Sequence, residues 1–160
     1  MPERTGNALL MFPPEVFQML LDHEVSKSRR YGDSLTLVEM LVEADPAHPE
    51  ARGEAAQFIV EVLTHHLRES DVPCALEDRF RILMPATSAP GARTACERMQ
   101  RFFLPENGAP MPLSVFMGMA SIPALGRNIT SVELEENTAA ALQHARTHGM
   151  RSVVAYSDVL

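Results

Sequence analysis

What most constrains this chain is the order in which its apolar residues change period. Stretches with helical spacing alternate with short β-rich runs, in the order α-β-α-β-β-α-β-α-β. From Pro13 to Tyr31, Val16, Phe17, Leu20, Leu21 and Val25 recur at helical spacing, and Gly32 marks the stop. Ser34 to Val42 has strand length and composition, and Glu39 inside it points to one open face or edge. Glu43 to Arg52, with two prolines, reads as a loop. A second helix is expected over Gly53 to Glu69, with Ala56, Ile59, Val60, Leu63 and Leu67 on its apolar stripe. Val72 to Leu76 and Phe80 to Met84 flank Glu77-Asp78-Arg79 as a hairpin, although the tip lacks the Asn-Gly chemistry hairpins prefer. A third helix from Pro90 to Phe103 turns Ala92, Ala95, Cys96, Met99, Phe102 and Phe103 inward. Beyond the linker Leu104 to Pro112 come a buried strand, Leu113 to Ile122, and a helix capped by Thr130 or Ser131 that ends near His148. Gly149 suits the position after that helix, and Ser152 to Tyr156 makes a last strand. A mixed sheet with helices packed on it satisfies that order.

The 160 residues make one domain, 1–160, with no internal repeat or linker. The formal net charge of −7 argues against a general binder of nucleic acid polymers, which needs a basic surface. No apolar run approaches the roughly 18 residues of a membrane span. The N-terminus lacks a basic start, an apolar stretch and a cleavage site, so the expected address is the cytoplasm. Cys74 and Cys96 lie in apolar surroundings and suit free thiols of a reducing compartment.

Five strings in this order carry a resemblance: SRRYGDSLTLV (Ser28 to Val38), LRESDVPCA (Leu67 to Ala75), FRILMPATSAPGARTACERM (Phe80 to Met99), VFMGMAS (Val115 to Ser121) and ALQHARTHGMRSVV (Ala141 to Val154). Together they resemble the GGDEF family, the diguanylate cyclase domains of bacterial signalling, over nearly the whole chain from about Asn7. The resemblance implies an α+β, nucleotide-cyclase palm-like fold with a mixed, mostly antiparallel central sheet flanked by helices, its core spanning about residues 7–156. Working members of that family condense two GTP molecules into cyclic di-GMP. They use acidic positions that hold Mg²⁺ and a glycine-rich turn that lets the backbone approach guanine and phosphate.

Position by position, this sequence departs from that chemistry. The family's first metal aspartate corresponds to Leu41, leaving Glu43 two residues on. The segment that holds a base-binding asparagine and aspartate is replaced by ADPAHPEARGEA. Gly-Gly-Asp-Glu-Phe becomes Leu76-Glu77-Asp78-Arg79-Phe80, and no glycine occurs between Gly53 and Gly91. The lysine that meets phosphate is Arg146, and Gly-Arg-Asn is Gly149-Met150-Arg151. Asp78 with Glu43 is the acidic pair left for one Mg²⁺, against the plainer reading of a solvated hairpin tip and a strand-end glutamate. The expectation is a catalytically inactive, degenerate GGDEF-like domain with no metal and no cofactor.

A second feature of the family survives. Many members bind cyclic di-GMP at an Arg-x-x-Asp motif before the signature hairpin, joined by an arginine of the following helix. Here Arg68-Glu69-Ser70-Asp71 and Arg98 stand at those places. Guanidinium groups fork onto phosphate oxygens or a guanine edge, and a carboxylate accepts from guanine N–H groups. The plainer alternative is an ion pair at a helix C-terminus. His144 and His148, four apart, have no third ligand, and His65 and His66 point differently, so no metal site follows. Met99, Met117 and Met119 read as core. Three functions stay open: a cyclic di-GMP receptor using Arg68, Asp71 and Arg98; a protein-interaction or homodimerisation module without nucleotide; and a residual GTP-using enzyme.

Overall fold

A computed structural model describes residues 11–44, 47, 52–109, 111–126, 128–148 and 152–159. The elements follow the expected order: α1 (Pro14–Tyr31), β1 (Leu35–Ala44), α2 (Arg52–His66), β2 (Val72–Ala75), β3 (Arg79–Pro85), α3 (Ala89–Phe102), β4 (Leu113–Ile122), α4 (Ser131–His148) and β5 (Val153–Ala155). Short 3-10 turns occupy Pro105–Asn107 and Tyr156–Asp158. Of the loop expected over 43–52, Glu43 and Ala44 continue β1, Ala47 lies in a turn and Arg52 opens α2; the other positions lie outside the described residues. So do Gly149, Met150 and Arg151, including the glycine expected to follow the last helix.

The strands form one mixed sheet in the order β2-β3-β1-β4-β5, antiparallel except for the parallel pair β4–β5. This is the α+β architecture expected. Alternation along the strands sends successive side chains to opposite faces. Val38, Met40, Phe80, Ile82, Met84, Val115, Met117 and Met119 bury one face against α2 and α3. Leu35, Leu37, Leu83, Ala120 and Ile122 face α1 and Leu134 of α4, while Leu41 and Phe116 pack with Ala141, Leu142 and Ala145 of α4. At Gly118 a Cβ would come within 2.1 Å of the Leu142 backbone nitrogen, so glycine is what lets α4 lie directly on β4.

Local signals place the ends of these elements. Gly32 takes a left-handed φ of 75° and its N–H returns to the Ser28 carbonyl, stopping α1. Thr130 Oγ1 accepts from the Glu133 amide at 3.1 Å, the expected cap of α4. Three expectations are corrected. The buried stripe of α2 is Ala55, Ile59, Val62 and Leu63, one step round from the stripe through Ala56 and Val60. Phe102 is 39% exposed, because α3 ends there and only Phe103 turns into the core. Glu39 marks no open edge: β1 is the central strand, and two arginines cover its carboxylate. No described helix is long and apolar enough to cross a membrane.

Candidate functional site

Two places on the sheet concentrate charge, at opposite ends of β3. The first is where β1 runs out beside the hairpin tip. Leu41 and Arg79 are cross-strand partners here. Leu41 is 8% exposed and packs with Phe116 and Leu142. Arg79 reaches Glu39 at 3.3 Å and Asp78 at 3.1 Å, and the arginine pulls the Asp78 carboxyl below its ordinary range. Glu43 is taken by Arg146 at 3.2 Å. Behind them Arg81, in contact with Glu39 (3.7 Å) and Glu135 (3.2 Å), lies 4.9 Å from the centre of the Phe17 ring.

The tip itself is a two-residue turn, Glu77-Asp78, closed by the Leu76 amide on the Arg79 carbonyl at 2.7 Å. Neither residue has a positive φ, so the turn is not of the glycine-dependent kinds usual in hairpins. A divalent cation seeks several oxygen ligands. An apolar side chain opposite a guanidinium, with Glu39, Asp78 and Glu43 each paired to arginine, does not fit Mg²⁺. Among the described residues no group of three or more His, Cys, Asp or Glu side chains is placed to hold a metal ion.

The second place is the turn between α2 and β2. Helix α2 ends at His66, earlier than expected, because Asp71 captures the chain: the Arg68 amide donates to its Oδ2 at 2.8 Å. Arg68 Nη2 then donates to Asp71 Oδ1 (2.9 Å), to the Pro85 carbonyl (2.9 Å) and to Thr87 Oγ1 (2.5 Å). The Asp71 side chain is 4% exposed, whereas that of Arg68 is 53% exposed. Arg68 thus occupies both carboxylate oxygens of Asp71, which positions the guanidinium rather than presenting its own acceptors to a ligand.

Arg98, one turn before the end of α3, donates to the His66 carbonyl at 3.4 Å. Arg68, Asp71 and Arg98 line one cavity of about 330 Å³. Its α3 wall is built of small side chains, Gly91, Thr94 and Ala95, leading to Arg98. The His66 ring lies 4.4 Å from that of Phe102; burial lowers its pKa, with Arg98 and His65 adding to the effect. Sequence reasoning missed His66 as a wall of this cavity and Thr87 as a support for Arg68. Thr87 is 19 residues from Arg68 and arrives through a left-handed turn at Ala86, φ 50°, which no glycine announces.

With this geometry, solved structures were compared. The GGDEF domain of DgcB from Caulobacter crescentus, in complex with c-di-GMP, matches with a TM-score of 0.78 at 14% identity, over 92% of each chain. This chain has the GGDEF-domain fold. The active GGEEF domain of a diguanylate cyclase from Vibrio cholerae also gives 0.78, at 11% identity over 92% of this chain and 98% of that one. The diguanylate cyclase SiaD of Pseudomonas aeruginosa, in complex with its activator SiaC, gives 0.75 at 19% identity over 91% of this chain and 58% of that one. No protein-family model and no curated protein matches the chain. On the GGDEF fold, then, the Leu41–Arg79 pair and the Arg68–Asp71–Arg98 cavity are separate features of one domain.

Proposed function

We propose that this chain is a non-catalytic bacterial signalling domain that works by binding, and that the cavity of Arg68, Asp71 and Arg98 takes cyclic di-GMP. The observation that carries the reading is the placement of two arginines on one small cavity, with Nη1 of Arg68 and most donors of Arg98 uncommitted among the described residues. Arg68 is held by a buried carboxylate, so its half-exposed guanidinium is pre-oriented and loses little freedom when an anion arrives. Such a fork suits phosphate oxygens or the O6/N7 edge of guanine. The volume has room for part of the dinucleotide, with the rest facing solvent. The loss of catalysis is supported by Leu41 opposite Arg79, where a metal-dependent condensation would need carboxylates.

The test is calorimetry with cyclic di-GMP on the wild type and on Arg68→Ala. Binding in the micromolar range, weakened about a hundredfold in Arg68→Ala (about 2.7 kcal/mol), is expected. No heat with the wild type sinks the reading. A protein-interaction or dimerisation module then takes its place, favoured by exposed Met19 on α1 and Val132 on α4 and by the protein activator bound to SiaD. Cyclic di-GMP formed from GTP and Mg²⁺ above a protein-free control would overturn the loss of catalysis.

A further inference from the structure

A second cavity, of about 510 Å³, lies beside the first helical turns of α4 and has no part in the reading above. Met119 and Ala155 of the parallel pair β4–β5 are buried and line it, and Ile129 adds an apolar wall. Polar groups complete it: Glu133 and Asn137, one turn apart on α4, with Tyr156 and Ser121. This is the size and the mixture of apolar wall and few polar groups that small-molecule sites show.

Two of these polar groups only accept, and the other two accept as well as donate. Thr36 Oγ1 lies 2.8 Å from the Thr87 carbonyl, which only accepts, so Thr36 donates there. Ser121 Oγ, 2.6 Å from the same hydroxyl, must therefore donate to it and keeps only acceptor capacity. The Glu133 carboxylate is an acceptor, and the Asn137 amide and Tyr156 hydroxyl can each accept as well. None of these last three side chains makes a hydrogen bond to another described residue. Among the described residues, no arginine or lysine lines the cavity, in contrast with the cavity of Arg68 and Arg98.

We infer that this cavity is a second ligand site, which takes a flat heteroaromatic ring bearing exocyclic amino groups and no phosphate. The ring fills the apolar part over Pro123 and Ile129, and the amino groups donate to Ser121, Glu133 and Asn137. Among the described lining residues a phosphate would meet the Glu133 carboxylate and no arginine or lysine.

Diaminopurine is the probe, titrated calorimetrically into the full chain, with unsubstituted purine as its comparison. We expect saturable one-to-one binding of diaminopurine, at least fivefold tighter than purine. Asn137→Leu should weaken it at least tenfold and Glu133→Gln severalfold, with Arg68→Ala within twofold of wild type. Glu133 is exposed, so Glu133→Gln carries the test if Asn137→Leu lowers the melting temperature. Absence of saturable heat, equal affinity for purine, or binding lost in Arg68→Ala but kept in both α4 variants overturns the proposal. Cyclic di-GMP is read at the other cavity, so either assignment can fail alone.

Discussion

The two ends of β3 carry similar residues and do opposite things with them. At Arg79 the guanidinium is spent on Glu39 and Asp78, Glu43 is closed by Arg146, and an apolar Leu41 stands across the strand. At Pro85, about 20 Å along the strand, one buried carboxylate holds Arg68 while half of that side chain stays in solvent. Arginine next to aspartate is thus no signature of a site by itself. What separates the two ends is that the held guanidinium at Pro85 lines a cavity together with a second arginine, Arg98, and is 53% exposed against 32% for Arg79.

The sharpest way to break this contrast is Glu39→Ala. Glu39 and Arg81 are 8% and 10% exposed, and Arg81 Nε has no hydrogen-bond partner even with Glu39 present. Removing the carboxylate leaves a buried guanidinium with Glu135 and the Phe17 ring as its company. We expect a loss of about 3 kcal/mol in urea unfolding, the range for one partner taken from a buried pair. Cyclic di-GMP affinity should stay within twofold. A cost below about 1 kcal/mol would mean that the charges at this end are solvated, as surface pairs are, and the contrast with the other end would fail.

Next in size is Asp71→Asn. If Asp71 acts by holding Arg68, the variant loses a charge-assisted pair but keeps an acceptor for the Arg68 amide, costing about 1–2 kcal/mol of stability. Affinity for cyclic di-GMP should fall about tenfold. In the Arg68→Ala background the same change should cost little further affinity, because the group it positions is gone. Additive losses would instead assign Asp71 a direct contact with ligand.

How much of this was legible from sequence differs between the two ends for a physical reason. The order of elements, the Gly32 stop and the Thr130 cap are local events, set within a few residues, and they stand where periodicity placed them. Leu41 and Arg79 are thirty-eight positions apart, but each could be noticed singly, because aliphatic and cationic side chains stand where carboxylates serve the resembling family. The closing of Asp71 onto its own Arg68 needed the early end of α2, and Thr87 needed the left-handed Ala86. Both depend on tertiary contacts that propensity does not encode. Glu39 misled for the same reason: a charge in a strand suggests an edge until cross-strand Arg81 supplies its partner from outside the segment.

The smallest effect concerns His66, which shares the cavity with Arg68 and Arg98. Burial, then Arg98, then His65 hold its pKa below the ordinary 6.5. The native state therefore carries fewer protons here than the unfolded chain just below pH 6.5. The corresponding stability is fully present above that value and lost as pH falls toward the lowered native pKa. An anionic ligand reverses the sign locally, since its phosphates favour the imidazolium and draw in a proton on binding. Cyclic di-GMP should then bind about twofold to threefold tighter at about pH 6 than at about pH 7.5. In His66→Phe, which keeps a ring against Phe102, that pH dependence should vanish while affinity at the higher pH is preserved. A dependence that persists in His66→Phe would move the titrating group elsewhere. One absent from wild type would place the phosphates away from His66, on the outer faces of Arg68 and Arg98.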